Sequence, residues 1–150
     1  MQLTLEIRNY INKSVLCWLA TSSADNEPNV SPKEIFNAYG SDTIIIANIA
    51  SPQSIKNIKE NEMVCISFID ILVQKGFQLK GKAKLIDSSH AEYKKMKSIL
   101  VKMAGDKFPF STIISIKVEE AKQIIAPRYV LYPETTEQDQ IESAKKAYGI

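Results

Sequence analysis

The sequence predicts a mainly β, α+β fold, in which six or seven short antiparallel strands form a small closed or partly open barrel with flanking helices. Short apolar runs bounded by turn residues predict the strands, as in V-C-I-S-F at 64–68. The segment 76–86 alternates lysines with apolar residues and carries Gly81 in its middle, as expected where a long strand bends in a curled sheet. With 150 residues, 45% of them hydrophobic, we expect one domain over residues 1–150.

Three segments have the apolar spacing of helices. An N-terminal helix is predicted over 3–13, and a C-terminal helix over 136–148, with acids near its start, lysines near its end and Gly149 as its stop. A third is predicted to begin at Ser89, where Glu92 completes a capping box, and to end at Gly105.

The remaining segments predict strands and turns. Residues 15–21 form a buried strand, and the strand after it is expected to be irregular around Pro32, because proline cannot donate to a strand ladder. Residues 37–42 are expected to be a turn, as are Glu119 and Glu120 between two late strands. The proline-bracketed segment 127–133 is predicted to be extended.

The segment 43–61 predicts a buried strand, a tight turn and a helix N-terminus. Ser51 is expected to cap this helix and Pro52 to occupy its first position. Because no acidic residue lies between Ser51 and Ile58, the positive end of the helix dipole is free to receive a phosphate. An ordinary capped helix explains the same pattern, and both interpretations remain open.

Composition argues against several classes of function. The net charge of +2 and the presence of only two arginines do not indicate a polyanion-binding protein, so nucleic acid is not an expected partner. No membrane partner is expected either, because the apolar runs are well below the roughly 20 residues of a membrane-spanning helix. Cys17 and Cys65 lie in apolar runs without metal-site spacing and are expected to be reduced, in a cytoplasmic protein. His90 is the only histidine, so no metal site and no Ser-His-Asp triad is predicted, and no catalytic side chain is assigned.

Four segments taken together resemble a known family: C-W-L-A-T-S-S-A-D-N-E-P-N-V-S-P-K, S-P-Q-S-I-K-N-I-K-E-N, V-C-I-S-F with G-F-Q-L-K-G-K-A, and the late strand I-S-I-K-V. In order and spacing they are similar to the FMN-binding split-barrel family, which includes the pyridoxamine 5′-phosphate oxidase-like proteins. The resemblance implies a split β-barrel, FMN as cofactor, and a homodimer with FMN at the subunit interface.

The resemblance also implies which residues contact the cofactor. The second strand would lie along the flavin ring, the next turn would hold the ribityl chain and phosphate, and Lys33 and Lys56 would supply positive charge. The implied cofactor-binding residues are Val30, Ser31, Pro32, Lys33, Glu34, Asn48, Ser51, Gln53, Ser54 and Lys56. We expect aspartates at both Ser51 and Ser54 to abolish FMN binding without unfolding the chain.

The leading hypothesis is an oxidoreductase that passes hydride or electrons through FMN to a small acceptor, with NAD(P)H as the candidate redox partner. The alternative is a non-catalytic protein that binds or carries FMN or another anionic ligand such as haem. Oxidation of pyridoxamine phosphate is not expected, because the chain has no arginine between Arg8 and Arg128 and its only tryptophan is Trp18. A nucleic-acid barrel that uses Lys80, Lys82 and Lys84 ranks below both.

Overall fold

The computed structural model describes residues 1–150 and contains seven strands and five helices. In chain order they are α1 Leu5–Lys13, β1 Cys17–Ser22, β2 Pro28–Lys33, β3 Phe36–Tyr39, β4 Thr43–Ala47, α2 Pro52–Glu60, β5 Met63–Asp70, β6 Lys75–Ile86, α3 Tyr93–Ala104, β7 Ile113–Ile125, α4 Pro127–Leu131 and α5 Glu137–Tyr148.

The strands form one antiparallel sheet in the order β2-β1-β5-β6-β7-β4-β3. The sheet curls into half of a barrel, and helices cover it, so the predicted α+β split barrel is confirmed. The long strands β6 and β7 form its centre, while β2 and β3 form its two edges. Strands β2 and β3 are thus consecutive in the chain but lie at opposite ends of the sheet.

Two hydrophobic clusters lie on the two faces of the sheet. The larger combines α1 and the end of α2 with the inward side chains of the strands, and the smaller packs α3 against β4, β6 and β7. In β4, Ile44 and Ile46 belong to the larger cluster, whereas Ile45 belongs to the smaller. Burial on both sides explains why β4 is an unbroken apolar run without alternation.

Gly81 lies at a bulge where β6 crosses β7, as its position in the alternating strand predicts. The pairing shifts between Lys80 and Gly81, because Gly81 lies opposite Val118 and Lys80 opposite Glu120. A Cβ atom at Gly81 would lie 2.1 Å from the carbonyl oxygen of Lys117. Only glycine therefore allows the two backbones to approach this closely.

We expect Gly81→Ala to lower the free energy of unfolding by about 3 kcal/mol, because the methyl group would collide with backbone that cannot move aside. Lys84→Ala, at an exposed position of the same strand, is the control and should change it by less than about 0.5 kcal/mol. Urea unfolding measures both. Equal stability of the two variants would contradict the close approach.

Several local predictions are wrong. Residues 37–39 belong to β3, because they pair with β4, and β7 runs unbroken through Glu119 and Glu120, which lie at the bulge. The segment after Pro127 is helical, since a proline at the first position of a helix needs no N–H partner. Helix α3 begins at Tyr93, with Ser89 in a turn where Asp87 accepts its hydroxyl.

The predicted terminal helices are confirmed within two residues at each end. Thr136 and Asp139 form a capping box at the start of α5, and Gly149 ends it in the left-handed conformation. The longest helices, α3 and α5, have 12 residues each, and no helix has the length and apolar character needed to cross a membrane.

Candidate functional site

A polar seam joins edge strand β2 to helix α2. The side chains of Asn29, Ser31 and Lys33 alternate along β2 with exposed Pro28, Val30 and Pro32. The seam continues on α2, where Ser51, Ser54 and Asn57 are spaced three residues apart and share one face. Ser31 and Ser54 share a hydrogen bond of 3.3 Å, and Asn57 donates one of 3.0 Å to Thr21 on the neighbouring strand.

Lys33 ends this seam at the N-terminus of α2. Its side chain is only 5% exposed, and its Nζ donates a hydrogen bond to Ser51 Oγ. Ser51 occupies the N-cap position as predicted, but its side chain does not cap the helix and donates instead to the carbonyl of Ile49. The first turn of α2 therefore lacks a side-chain cap and has a buried ammonium group beside it, which together favour an anion.

Cys17 lies opposite Lys33 in the β1–β2 ladder and is fully buried. Burial raises the pKa of the Cys17 thiol to about 12, although the charge of Lys33 opposes this shift. Burial also lowers the pKa of Lys33, while Cys17 acts in the opposite sense. The thiol is thus a neutral neighbour at neutral pH and does not neutralise the lysine.

The raised pKa of Cys17 predicts a loss of stability in alkali. Between about pH 9 and 12 the folded thiol keeps a proton that the unfolded thiol releases, so stability falls as pH rises. The Cys17 thiol changes the free energy of unfolding by at most about 1.4 kcal/mol per pH unit. The free energy of unfolding, measured with urea at pH 8, 9, 10 and 11, should fall less steeply with pH for Cys17→Val than for the wild type. Parallel curves would contradict the assigned shift.

A groove opens beside Lys33, with a volume of about 190 Å³. We call it the Lys33 groove, and its lining residues are Pro32, Lys33, Glu34, Ile35, Ala47, Ile49 and Phe108. They come from the end of β2 and the two residues after it, from the end of β4 and the turn after it, and from the loop between α3 and β7. The groove thus combines apolar walls with the buried ammonium group of Lys33 and the exposed carboxylate of Glu34, so its Lys33 end suits an anion that also has an apolar part.

Asn48 lies between two residues of the groove wall, Ala47 and Ile49. Its backbone N–H donates to the carbonyl of Thr112 at 3.0 Å, but its side-chain Oδ1 is buried without a hydrogen-bond partner. A buried acceptor without a donor costs stability and is uncommon in folded proteins. Asn48 itself does not line the Lys33 groove, although its two neighbours in the chain do.

The other residues named from the sequence are dispersed around this site. Ser31 and Ser54 bond to each other along the seam, while Gln53 donates to Asn57 at 2.8 Å and lines a separate polar cleft. Lys56 is exposed on α2 and does not line the Lys33 groove, and Val30 is exposed on the outer face of β2. The structure therefore gathers Pro32, Lys33 and Glu34 in one groove, and Ser51 contacts Lys33, whereas Asn48 lies between two lining residues in the chain without lining the groove itself.

Sequence reasoning missed four residues of the groove wall, namely Ile35, Ala47, Ile49 and Phe108. Three of them adjoin residues that it named, but Phe108 lies in a loop without periodicity and more than 50 positions from the others. The polar residues of β2 alternate with its two prolines, and this period of two predicts that the polar side chains share one face of the strand, where the polar seam lies.

An exposed apolar surface lies on the outer face of β1 and β5. This Trp18 patch surrounds a shallow groove of about 420 Å³, lined by Val15, Leu16, Trp18, Ser67, Phe68, Ile69 and Ile71, of which Val15, Trp18 and Ile71 are exposed and Phe68 is buried in the core beneath. Trp18 is 50% exposed and pairs with Pro32 across the β1–β2 ladder. The Trp18 patch and the Lys33 groove therefore adjoin through this pair.

The lysine row of β6 is largely paired with acids. Lys82 lies 2.9 Å from Glu62, and Lys80 lies 3.9 Å from Glu120. The only histidine, His90, is exposed in a turn beside Asp87 and lies outside the Lys33 groove.

Comparisons with known proteins identify related folds. The family described as pyridoxamine 5′-phosphate oxidase matches residues 3–125. The structure of HupZ from Group A Streptococcus is 27% identical, with a TM-score of 0.68, and the match covers 79% of this chain and 91% of HupZ. A search of curated proteins finds no match.

Two further solved structures show the likeness of fold alone. An FMN-binding protein from Syntrophomonas wolfei is 20% identical, with a TM-score of 0.66, and the match covers 81% of this chain and 85% of that protein. HutZ, the haem storage protein from Vibrio cholerae, is 16% identical, with a TM-score of 0.65, and the match covers 83% of this chain and 95% of HutZ.

Proposed function

The chain belongs to the pyridoxamine 5′-phosphate oxidase family, and from this premise we propose that it is an FMN-binding flavoprotein. The observation that carries the proposal is the buried ammonium group of Lys33 beside the uncapped N-terminus of α2. A structure of similar fold is an FMN-binding protein, which supports the same choice of cofactor.

The residues present suit FMN. Lys33, Ser51 and the first turn of α2 would hold the phosphate, because a helix N-terminus and a cation both favour a dianion. The apolar wall of the Lys33 groove would exclude water from the ring.

When bound, FMN supplies the hydride or electron transfer, and the protein supplies position and environment. An oxidoreductase that passes electrons to a small acceptor is the activity we propose, with NAD(P)H as the electron donor to test first. Pyridoxamine phosphate remains an unexpected substrate, because both arginines lie away from the groove. Arg8 donates to the carbonyl of Gly40, and Arg128 lies on α4.

Haem is the alternative ligand, since HutZ has a similar fold. Histidine, cysteine, methionine and tyrosine are the usual protein ligands of haem iron. The Lys33 groove is lined by none of them, so its chemistry favours FMN.

Visible spectroscopy tests the proposed cofactor. The protein is incubated with FMN or with haemin in separate samples, passed through a desalting column and scanned. We expect flavin absorption bands to stay with the protein after incubation with FMN, and NADH or NADPH to bleach them if the protein is an oxidoreductase. Retention of haemin without retention of FMN would contradict the proposal. Bound flavin that neither nucleotide reduces would instead support an FMN carrier.

We also propose a homodimer, with the Trp18 patch at the subunit interface. An apolar surface containing a half-exposed tryptophan is typical of an interface core. The pairing of Trp18 with Pro32 would bring the second subunit next to the Lys33 groove. Sedimentation velocity should give a dimer for the wild type and a monomer for Trp18→Glu. A wild-type monomer, or a dimer in both, would contradict this interface.

A further inference from the structure

The loop 105–112, between α3 and β7, is anchored at both ends. The N–H of Gly105 donates to the carbonyl of Val101 at 2.9 Å, and the carbonyl of Thr112 accepts from Asn48 at 3.0 Å. Between these ends Phe110 is buried in the cluster around α3, with 8% of its surface exposed. The loop is therefore held on the body of the protein on either side of residue 108.

Phe108 is half exposed in this anchored loop, and it lies against the Lys33 groove. Its exposed fraction is 50%, although its near neighbour Phe110 is fully packed. Ile35, Ala47 and Ile49 form the rest of the apolar wall, and Lys33 is the cation of the groove. An aromatic ring at the mouth of a groove with one buried cation is matched by a ligand that is both planar and anionic.

We propose that Phe108 is a specificity-determining residue, which selects planar aromatic anions by packing against the ring of the molecule that binds the Lys33 groove. The inference rests on the proposed function, in which that molecule is FMN. Lys33 and the N-terminus of α2 select the charge, whereas Phe108 selects the ring. Simple anions such as inorganic phosphate would interact with Lys33 and the N-terminus of α2 but not with Phe108.

Titration calorimetry of the full chain tests this division. Stacking of a flat heterocycle on an aromatic side chain is worth about 1–3 kcal/mol, so Phe108→Ala should raise the Kd for FMN by roughly 5-fold to 150-fold. Phe108→Tyr keeps a ring and should stay within threefold of the wild type. Inorganic phosphate, measured as a competitor, should inhibit binding equally well in the wild type and in Phe108→Ala.

Two controls separate packing on the ligand from a structural effect. Tyr132→Ala removes an aromatic side chain that is 58% exposed after α4 and outside the groove, so it should leave the Kd for FMN unchanged. The melting temperature of Phe108→Ala should stay within a few degrees of the wild-type value, because the side chain is half exposed.

The outcomes distinguish this inference from the proposed function. If the wild type binds FMN and Phe108→Ala binds it within twofold, the inference is wrong and the flavoprotein proposal stands. If the wild type binds haemin but not FMN, the proposed function is wrong, and a loss of haemin affinity in Phe108→Ala then supports the inference. Unchanged haemin affinity, or a wild type that binds neither molecule, overturns both.

Discussion

Lys33→Met is expected to raise the Kd for FMN by roughly 30-fold to several thousand-fold. Removing one partner of a buried charge interaction costs about 2–5 kcal/mol of binding free energy, and Lys33 is the buried cation of the proposed phosphate site. Fluorescence titration of FMN measures the change.

Lys56→Met is the matched control for Lys33→Met. It also removes one positive charge, but this charge is on helix α2, where the side chain of Lys56 is exposed and outside the Lys33 groove. An exposed charge interacts weakly through water, so the Kd for FMN should change by less than about threefold. Equal losses of affinity in the two variants would indicate a general effect of net charge and would contradict a specific role for Lys33.

Lys33→Met should not lower the stability of the protein without ligand at neutral pH. Burial lowers the pKa of Lys33, so its protonated form is held less favourably in the folded state than in the unfolded state. That unfavourable contribution is present at low pH and disappears as pH rises past the ordinary pKa of lysine. Methionine has a similar length and no charge to bury, so the free energy of unfolding at pH 7 should be equal or higher.

The second large effect is on the free energy of unfolding, which we expect aspartate to lower at Ser54 but not at Ser51. Ser54 is 1% exposed and bonded to Ser31, so Ser54→Asp would bury a carboxylate without a paired charge and should lower the free energy of unfolding by about 3–5 kcal/mol. Ser51→Asp should keep the fold, because Ser51 is partly exposed and its hydroxyl already contacts Lys33. It should nevertheless weaken FMN binding strongly, since its carboxylate would pair with Lys33 and repel the phosphate.

Urea unfolding and FMN titration of the two single variants together check this separation. The expectation from sequence, that aspartates at both positions leave the fold intact, is not compatible with the burial of Ser54. A stable Ser54→Asp variant would contradict the packing of α2 on β2. An unchanged Kd for FMN in Ser51→Asp would move the phosphate away from this helix.

The fold was largely predictable because its determinants are local. The alternation around Gly81 predicts a bent strand, and the S-P step at Ser51 predicts the start of α2, and both appear in the structure. The errors occur where local signals compete with tertiary pairing. Glu119 and Glu120 look like a turn, yet Val118 and Glu120 both pair with β6, and Glu119 is the extra residue of a bulge.

The candidate site was predictable only in part. Lys33 and Ser51 were named from sequence, and they are in contact although 18 positions apart in the chain. Phe108 was not named, because the contact of loop 105–112 with the end of β4 depends on the place of β7 beside β4 in the sheet. No periodicity in one sequence reports such a long-range neighbour.

Titration of the purified wild type, Lys33→Met and Lys56→Met with FMN, followed by the flavin fluorescence, tests whether Lys33 holds the FMN phosphate. We expect one FMN per chain with a Kd in the micromolar range or below for the wild type and for Lys56→Met, and a large loss of affinity for Lys33→Met. A wild type that does not bind FMN would contradict the proposed cofactor, and a Lys33→Met variant that binds it as tightly as the wild type would contradict the proposed phosphate site.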